Sequence, residues 1–171
     1  MQGSLDPDGE SLRLVVEQVR ASMAGCEAAA VTVVHGDEPV MVVGTSLLGC
    51  ELEEAQWAAG HGPGIDALRQ LQVFNVTCLA TARSWPDFTR TALGRGVRST
   101  LAVPLTGKGR ALGVLNLYAP EVDAFVGHEP IALRYASEAA SLLAGAEWIR
   151  GVRPPCVPGT AGGPGMVPAV S

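Results

Sequence analysis

Half of the twelve cations in this 171-residue chain lie between residues 83 and 110, with only Asp87 as an acidic neighbour. Such a concentration of positive charge is typical of a solvated face, and it also suits a site for an anionic ligand or partner. The whole chain carries a formal net charge of −5, which argues against a general nucleic-acid-binding protein. The six cations are Arg83, Arg90, Arg95, Arg98, Lys108 and Arg110.

The stretch GHGPG, residues 60–64, places three glycines around His61 at the start of a short helical pattern. It is not a dinucleotide-binding fingerprint, because it follows a helix rather than a strand. The glycines either separate two helices or leave backbone N–H groups free to bind an anion in a pocket. In the second case His61 would lie at the mouth of that pocket. Asp66 would cap the following helix, pair locally or face the ligand.

Five further residues are candidates for a ligand-binding pocket. Asn116 is an amide inside an apolar strand, so if buried it must be hydrogen-bonded, either to a neighbouring loop or to a ligand. Arg98 and Ser99 begin the preceding strand and could reach the same cavity. The aromatic residues Trp57 and Trp85 suit either the core and roof of the domain or stacking on a ligand.

Catalytic and metal-binding patterns are missing from the sequence, so we expect neither an enzyme nor a metal site. Each of the three histidines lies in a loop or at the end of an element, and no nucleophile elbow or paired carboxylates accompany them. The cysteines show neither CxxC nor CxxH spacing, which favours free thiols over a disulfide. They are Cys26, Cys50, Cys78 and Cys156.

The elements that would position these residues follow from the spacing of apolar side chains. Helical spacing predicts helices over 9–24, 47–59, 63–71, 85–96 and 127–150. Runs rich in β-branched residues predict strands over 28–34, 39–45, 73–79, 97–105 and 111–118. The resulting order is α, β, β, α, α, β, α, β, β, α. Its two hairpins favour a mostly antiparallel sheet.

The fourth and fifth predicted strands form a hairpin within LAVPLTGKGRALGVLNLYAP, residues 101–120. Neither face of the fifth strand is plainly polar, so we expect the sheet to be covered on both sides. The terminal helices would cover one face, and residues 47–95 are the candidates for the other. Pro104 has no N–H for a ladder, so it should lie at a bulge or where the fourth strand lacks a partner.

The chain length suits one domain, which we place at residues 9–149. Residues 150–171 are rich in glycine and proline and lack any period, which predicts a disordered tail. No apolar run approaches the roughly 18 residues that a membrane span needs, and the N-terminus shows no apolar signal region. We therefore expect a cytoplasmic protein without membrane contact.

Five stretches of the sequence together form a specific combination: GCEAAAVTVV, ELEEAQWAAGHGPGIDAL, SWPDF, GVRSTLAVPL and GRALGVLNLYAP. In these stretches the sequence resembles a GAF domain of the kind found in actinobacterial GAF–ANTAR regulators. The resemblance implies an α+β, PAS-like fold with a central antiparallel sheet of about five or six strands. It also implies a homodimer through the first and last helices, and a small-molecule pocket roofed by short middle helices on the other face.

The function implied by this resemblance is a sensor that binds an unidentified small molecule and signals through a partner protein. The tail stands where the family usually has its RNA-binding ANTAR module, so no direct nucleic-acid contact is expected. Gly64 stands where the family often has cysteine. One alternative is a ligand-free interaction module, and another is a thiol-based methionine-sulfoxide reductase of GAF fold. In a dimer, close helix packing would use the small-residue stripe Ala132, Ala136, Ala139, Ala140 and Ala146.

Overall fold

A six-stranded sheet forms the centre of the computed structural model, which describes residues 7–145 and 157–158. The strands are β1 Ala28–His35, β2 Glu38–Gly44, β3 Phe74–Val76, β4 Ser99–Gly107, β5 Arg110–Ala119 and β6 Val157–Pro158. Their order across the sheet is β3-β4-β5-β1-β2-β6. Neighbouring strands are antiparallel, except that β6 pairs parallel with β2.

Helices flank this sheet in the order predicted from the sequence. They are α1 Pro7–Ser22, α2 Leu47–Ala59, α3 Pro63–Gln70, α4 Pro86–Gly94 and α5 Glu129–Gly145, with a short 3₁₀ helix at Leu79–Thr81. The α+β fold class, with helices on both faces of a mostly antiparallel sheet, is confirmed.

Local sequence signals account for the boundaries of the two helices that matter most for the site. The Ser46 side chain accepts a hydrogen bond from the Gly49 N–H and begins α2, as an N-cap residue should. Gly60 ends α2 in the left-handed conformation, with φ of 72°. Pro63 then stands in the first turn of α3, where its missing N–H costs nothing.

The prediction for Pro104 is confirmed by the register of the sheet. Pro104 pairs with Val114 of β5, but β3 begins at Phe74, opposite Ala102, and runs away from Pro104. On that side β4 therefore has no partner at Pro104. The register also shifts between Leu105 and Thr106. Pro104, which has no N–H to donate, therefore lies where β4 has no partner strand on that side.

The helices α1 and α5 cover one side of the sheet, which we call the terminal-helix face. Alternate strand residues point toward them, and the resulting cluster consists of apolar side chains. Its members include Leu12, Val16 and Val19 from α1 and Leu101, Val103, Leu115 and Leu117 from β4 and β5, all fully buried. This face is the larger apolar core of the domain.

The alanine stripe of α5 lies in this core within a single chain. Ala132, Ala136, Ala139 and Ala140 are at most 8% exposed. The prediction that they form a dimer contact is therefore wrong, because the small side chains allow α5 to lie close to the sheet and to α1. Ala146 lies outside the described side chains.

The opposite side of the sheet, which we call the roof face, is covered by the middle helices. α2 lies on β1 and β2, α3 lies on β4 and β5, and α4 packs against α2. Two smaller apolar clusters hold this layer in place. They include Leu52, Leu79, Trp85 and Phe88 in one and Val34, Leu68, Ala102 and Val114 in the other. The prediction of a sheet covered on both faces is confirmed.

Two further expectations differ from the structure. Cys50 is disulfide-bonded, whereas Cys26 and Cys78 are free, so the expectation of free thiols is wrong for Cys50. Spacing in the sequence cannot reveal such a bond, because it depends on distances set by the fold. The predicted tail, 150–171, lies outside the described residues except for β6, which pairs with the open edge of β2 where no strand was predicted.

Candidate functional site

Two polar side chains of α2 point into the roof face rather than into solvent. Glu53 and Gln56 lie one turn apart on the helix stripe that also contains Gly49 and Leu52, and each is 1% exposed. A Cβ at Gly49 would lie 3.2 Å from the Ala29 carbonyl oxygen, so the helix runs very close to β1. This close approach places both polar side chains directly on the sheet.

The Glu53 carboxylate receives three hydrogen bonds from the sheet. The Thr32 hydroxyl donates to Oε2 at 2.6 Å, the Asn116 amide donates to the same oxygen at 3.0 Å, and the Tyr118 hydroxyl donates to Oε1 at 2.6 Å. Thr32 comes from β1, and the other two come from the adjacent β5. Each of the three donors is fully buried. The carboxylate is thus held at the centre of the sheet.

Gln56 extends this network to the start of α3. Its Nε2 donates to the Tyr118 hydroxyl at 3.0 Å, and its Oε1 accepts a hydrogen bond from the Gly64 N–H at 2.8 Å. A Cβ at Gly64 would lie 2.6 Å from Asn116 Nδ2, so only glycine fits here without movement. We call Thr32, Glu53, Gln56, Asn116 and Tyr118 the polar cluster.

The electrostatics of the polar cluster are dominated by burial. Burial raises the pKa of Glu53 to about 7, although the hydrogen bonds from Thr32, Tyr118 and Asn116 act in the opposite direction. Burial, with the adjacent Glu53 carboxylate, raises the pKa of Tyr118 well above its usual range. The carboxyl group therefore changes its protonation state close to neutral pH.

One polar atom of the cluster has no hydrogen-bond partner among the described residues. This atom, Asn116 Oδ1, is fully buried. A buried carbonyl without a donor is unfavourable by about 1–3 kcal/mol, and such groups are rare in folded proteins. It is the point in the cluster that can accept a further hydrogen bond.

The structure places four more of the predicted residues on the roof layer. Asp66, in the first turn of α3, accepts a hydrogen bond from Trp85 Nε1 at 2.8 Å. His61 Nε2 lies 3.3 Å from an oxygen of Asp87. Trp57 is partly buried against the apolar cluster around Leu68. These residues connect α2, α3 and α4, whereas the Asn116 side chain belongs to the polar cluster itself.

Arg98 and Ser99 are not brought to one cavity. Ser99 is fully buried, and its hydroxyl donates to the Glu121 carbonyl oxygen at 2.6 Å. It shares a strand face with Leu101, whose side chain belongs to the terminal-helix core. Arg98 is exposed at the start of β4. Neighbouring residues of a strand point to opposite sides, which separates these two side chains.

The cations between residues 83 and 110 also lie apart from one another in the fold. The exposed Arg95 pairs with the partly buried Glu51 at 2.6 Å, and Arg90 lies 3.5 Å from Asp87 on the exposed surface of the roof layer. Lys108 and Arg110 lie at the other end of β4, in the hairpin turn. The segment is therefore not one anion site.

Two backbone N–H groups in the first turn of α3 are hydrogen-bonded within the protein, which argues against the anion-binding interpretation of GHGPG. The Gly64 N–H is bonded to Gln56, and the Asp66 N–H is bonded to the Gly62 carbonyl oxygen. A Cβ at Gly62 would overlap Gln56 Oε1. The glycines thus allow the two roof helices to lie against the Gln56 side chain.

Sequence reasoning missed four members of the polar cluster: Thr32, Glu53, Gln56 and Tyr118. A signal was available for each. Thr32 is the polar residue of an otherwise apolar strand, and Tyr118 alternates with Asn116 along β5. Gln56 follows Glu53 by three residues and Leu52 by four, and both spacings place side chains on one face of a helix.

Within residues 7–145 and 157–158, no group of three or more His, Cys, Asp or Glu residues could hold a metal ion. Cys26 lies in the terminal-helix core, and burial raises the pKa of its thiol to about 11, which disfavours a reactive thiolate at neutral pH.

The fold is that of an α+β domain with a roofed antiparallel sheet, and comparison with known families agrees. The family model for the GAF domain matches residues 9–146, and the chain belongs to that family. A comparison with curated proteins found no match. Within the described residues, no helix has the length and apolar character to cross a membrane.

Solved structures share this fold at low sequence identity. The GAF domain of a phosphoenolpyruvate-protein phosphotransferase from Coxiella burnetii is 18% identical, with a TM-score of 0.64 over 82% of this chain and 84% of that chain. The GAF domain/HD domain protein from Geobacter sulfurreducens is 17% identical, with a TM-score of 0.61 over 81% and 92%. A type II free methionine-R-sulfoxide reductase from Thermoplasma acidophilum is 13% identical, with a TM-score of 0.61 over 80% and 92%.

Proposed function

We propose that this GAF domain is a sensor that binds a small molecule at the polar cluster and signals through a partner protein. The observation that carries the proposal is the burial of five polar side chains between the sheet and the roof helices. Apolar residues of similar size would stabilise such an interface better than a buried carboxyl group does. A group that weakens the core in this way suits a binding function.

The chemistry of the cluster selects the kind of ligand. The oxygens of Glu53 and Gln56 and the Asn116 carbonyl, which has no partner among the described residues, lie between α2 and the sheet as hydrogen-bond acceptors. A small molecule with N–H or O–H donors would satisfy these oxygens when it separates α2 and α3 from the sheet. Ionised Glu53 would add a charge-assisted hydrogen bond, which is stronger than a neutral one.

Signal transfer follows from the same contacts. Gln56 joins α2 to α3 through Gly64, and Asp66 joins α3 to Trp85 beside α4. A ligand that displaces Gln56 would shift these helices together. The ion pair between Arg95 and Glu51 lies on the outer surface of this layer, where a partner protein would detect the shift.

We also propose that the domain is not an enzyme. The polar cluster contains neither a thiol nor a histidine, and Gly64 lacks the side chain that a reductase of this fold would need there. Cys78, which with Cys26 is free among the described residues, lies outside the cluster. Loss of methionine sulfoxide in the presence of the protein and a thiol reductant, abolished by Cys78→Ser, would contradict this proposal.

Native mass spectrometry of freshly purified protein tests the ligand. The wild type is compared with Glu53→Gln and with Glu54→Gln, whose exposed side chain makes it a matched control. We expect an extra mass in the wild type and in Glu54→Gln that is lost from Glu53→Gln and from all denatured samples. The same extra mass in Glu53→Gln contradicts the proposal. The extra mass could also be absent from all three proteins. In that case the proposal is contradicted if no small molecule with N–H or O–H donors raises the melting temperature of the wild type in a saturable way.

A second candidate function, self-association without a ligand, is favoured by exposed leucines on the terminal helices. Leu14 of α1 is 50% exposed, and Leu133 of α5 is 47% exposed. We propose that they contribute to a homodimer. Sedimentation velocity should show a dimer in the wild type and a monomer in Leu133→Glu, with Leu93→Glu on α4 as the control. A monomeric wild type at high concentration would contradict this part.

A further inference from the structure

A groove of about 570 Å³ opens at the end of the sheet where the two hairpins separate. Antiparallel pairing of β1 with β5 ends at Val33 and Gly113. Beyond that pair, the turn at Gly36–Asp37 and the turn at Lys108–Gly109 diverge. The C-terminal end of α3 closes one side of the gap, and the last turn of α5 closes the other. We call this cavity the hairpin groove, and it is separate from the polar cluster.

The rim of the hairpin groove is positively charged. Arg69 comes from α3, and Lys108 and Arg110 come from the β4–β5 turn; all three are exposed, and within the described residues none has an ion-pair partner. Asp37 is the acidic residue of the lining. Three cations and one acid give the rim a formal charge of +2, although the chain carries −5. Such a local excess attracts anions.

The interior of the groove is apolar. Leu68, Leu112 and Leu143 contribute to its lining, together with the ends of β1. Leu71 lies at the C-cap of α3 with φ of 52° and is 43% exposed. This left-handed conformation favours glycine, and an exposed leucine gains little from burial to offset it. Leu71 is therefore unfavourable for folding at a position where its side chain lines the groove.

We propose that the hairpin groove binds an amphipathic anion, a phosphate or carboxylate attached to a short apolar chain. The head group contacts Arg69, Lys108 and Arg110, and the apolar part lies against Leu71 and Leu112. A cavity of this volume suits a small molecule. The inference does not depend on the polar cluster, because no residue is shared between the two sites.

Isothermal titration calorimetry with octyl phosphate and octanoate, both below their micelle concentrations, tests the ligand class. We expect saturable binding of one molecule per chain, at least tenfold tighter for octyl phosphate than for inorganic phosphate. Octyltrimethylammonium, with the same chain and opposite charge, should not bind. Failure of both anions to bind saturably, or equal binding of octyltrimethylammonium, would overturn the proposal.

Matched variants locate the site. The triple variant Arg69→Gln, Lys108→Gln, Arg110→Gln should bind octyl phosphate at least tenfold more weakly. The control is a second triple variant, Arg83→Gln, Arg90→Gln, Arg134→Gln. It removes the same number of charges from other exposed surfaces and should bind octyl phosphate like the wild type. Equal affinities of the two triple variants would show that the groove is not the site.

A single substitution separates binding from folding. Leu71→Gly should raise the melting temperature, because glycine favours the left-handed conformation, and it should weaken octyl phosphate binding several-fold. Unchanged affinity in a stabilised Leu71→Gly protein would contradict the assigned role of Leu71. Glu53→Gln should bind octyl phosphate like the wild type, so the groove and the polar cluster are tested independently.

Discussion

Alternate residues of β5 face two chemically different environments. Leu115 and Leu117 point to the terminal-helix face, where their neighbours are apolar. Asn116 and Tyr118 point to the roof face, where both contact the Glu53 carboxylate. One strand thus serves two layers, and the alternation of its side chains keeps them apart.

The two faces of the sheet are expected to contribute differently to stability and to ligand binding. On the terminal-helix face, the burial of apolar surface stabilises the folded state by roughly 25 cal/mol per Å². On the roof face, a carboxyl group that must leave water offsets part of the apolar contribution. We therefore expect substitutions on the first face to affect folding alone, and substitutions on the second to affect folding, pH dependence and ligand binding together.

The largest effect is expected on the terminal-helix face. Leu117→Ala removes a fully buried side chain from the larger core and should lower the free energy of unfolding by about 2–5 kcal/mol. Urea denaturation at pH 7 measures the change, with the exposed Leu133→Ala as the control. A loss below about 1 kcal/mol would show that the core is not closed as described.

On the roof face, Tyr118→Phe should have a smaller effect that depends on hydrogen bonding. The hydroxyl that donates to Glu53 and accepts from Gln56 is lost, which should lower the free energy of unfolding by about 1–3 kcal/mol. Tyr135→Phe is the matched control, because its hydroxyl bonds to Ser22 at the exposed surface and should matter little. Equal effects of the two substitutions in urea denaturation would contradict a buried network.

Two glycine substitutions compare the tight and open parts of the roof layer. Gly64→Ala places a Cβ against Asn116 and should be destabilising by about 1–3 kcal/mol. Gly94→Ala meets no atom within 4 Å and should be neutral or stabilising by up to about 1 kcal/mol. Thermal denaturation of both proteins measures the difference, and the reverse order would mean that the start of α3 is not in contact with the polar cluster.

Much of the fold could be predicted from the sequence, because its signals are local. The two-residue alternation of β5 and the caps of α2 and α3 depend on near neighbours. The burial of Glu53 could not be predicted as readily, because α2 also contains the neighbouring acids Glu51 and Glu54. Which of the three acids is buried depends on how the whole helix lies against β1.

The hairpin groove illustrates the same limit for charge. The sequence concentrates cations between residues 83 and 110, yet only Lys108 and Arg110 of that segment reach the groove. Arg69 joins them from α3, far away in the chain, because the topology brings α3 over β4 and β5. Density of charge along a sequence therefore predicts a spatial site only when the segment folds back on itself.

The pH dependence of the free energy of unfolding tests the difference between the two faces most directly. The folded carboxyl group of Glu53 keeps its proton up to about pH 7, whereas in the unfolded chain it loses the proton near its ordinary pKa of about 4.5. Between these values the unfolded state releases a proton that the folded state retains. Rising pH therefore destabilises the wild type across this window, and no further above it.

The measurement is urea denaturation of the wild type, Glu53→Gln and the exposed control Glu54→Gln between pH 4 and pH 8. Relative to Glu53→Gln, the wild type should lose roughly 3 kcal/mol between about pH 4.5 and pH 7, and Glu54→Gln should follow the wild type. Parallel curves for the wild type and Glu53→Gln across the whole range would contradict a buried, titrating carboxyl group at the centre of the roof face.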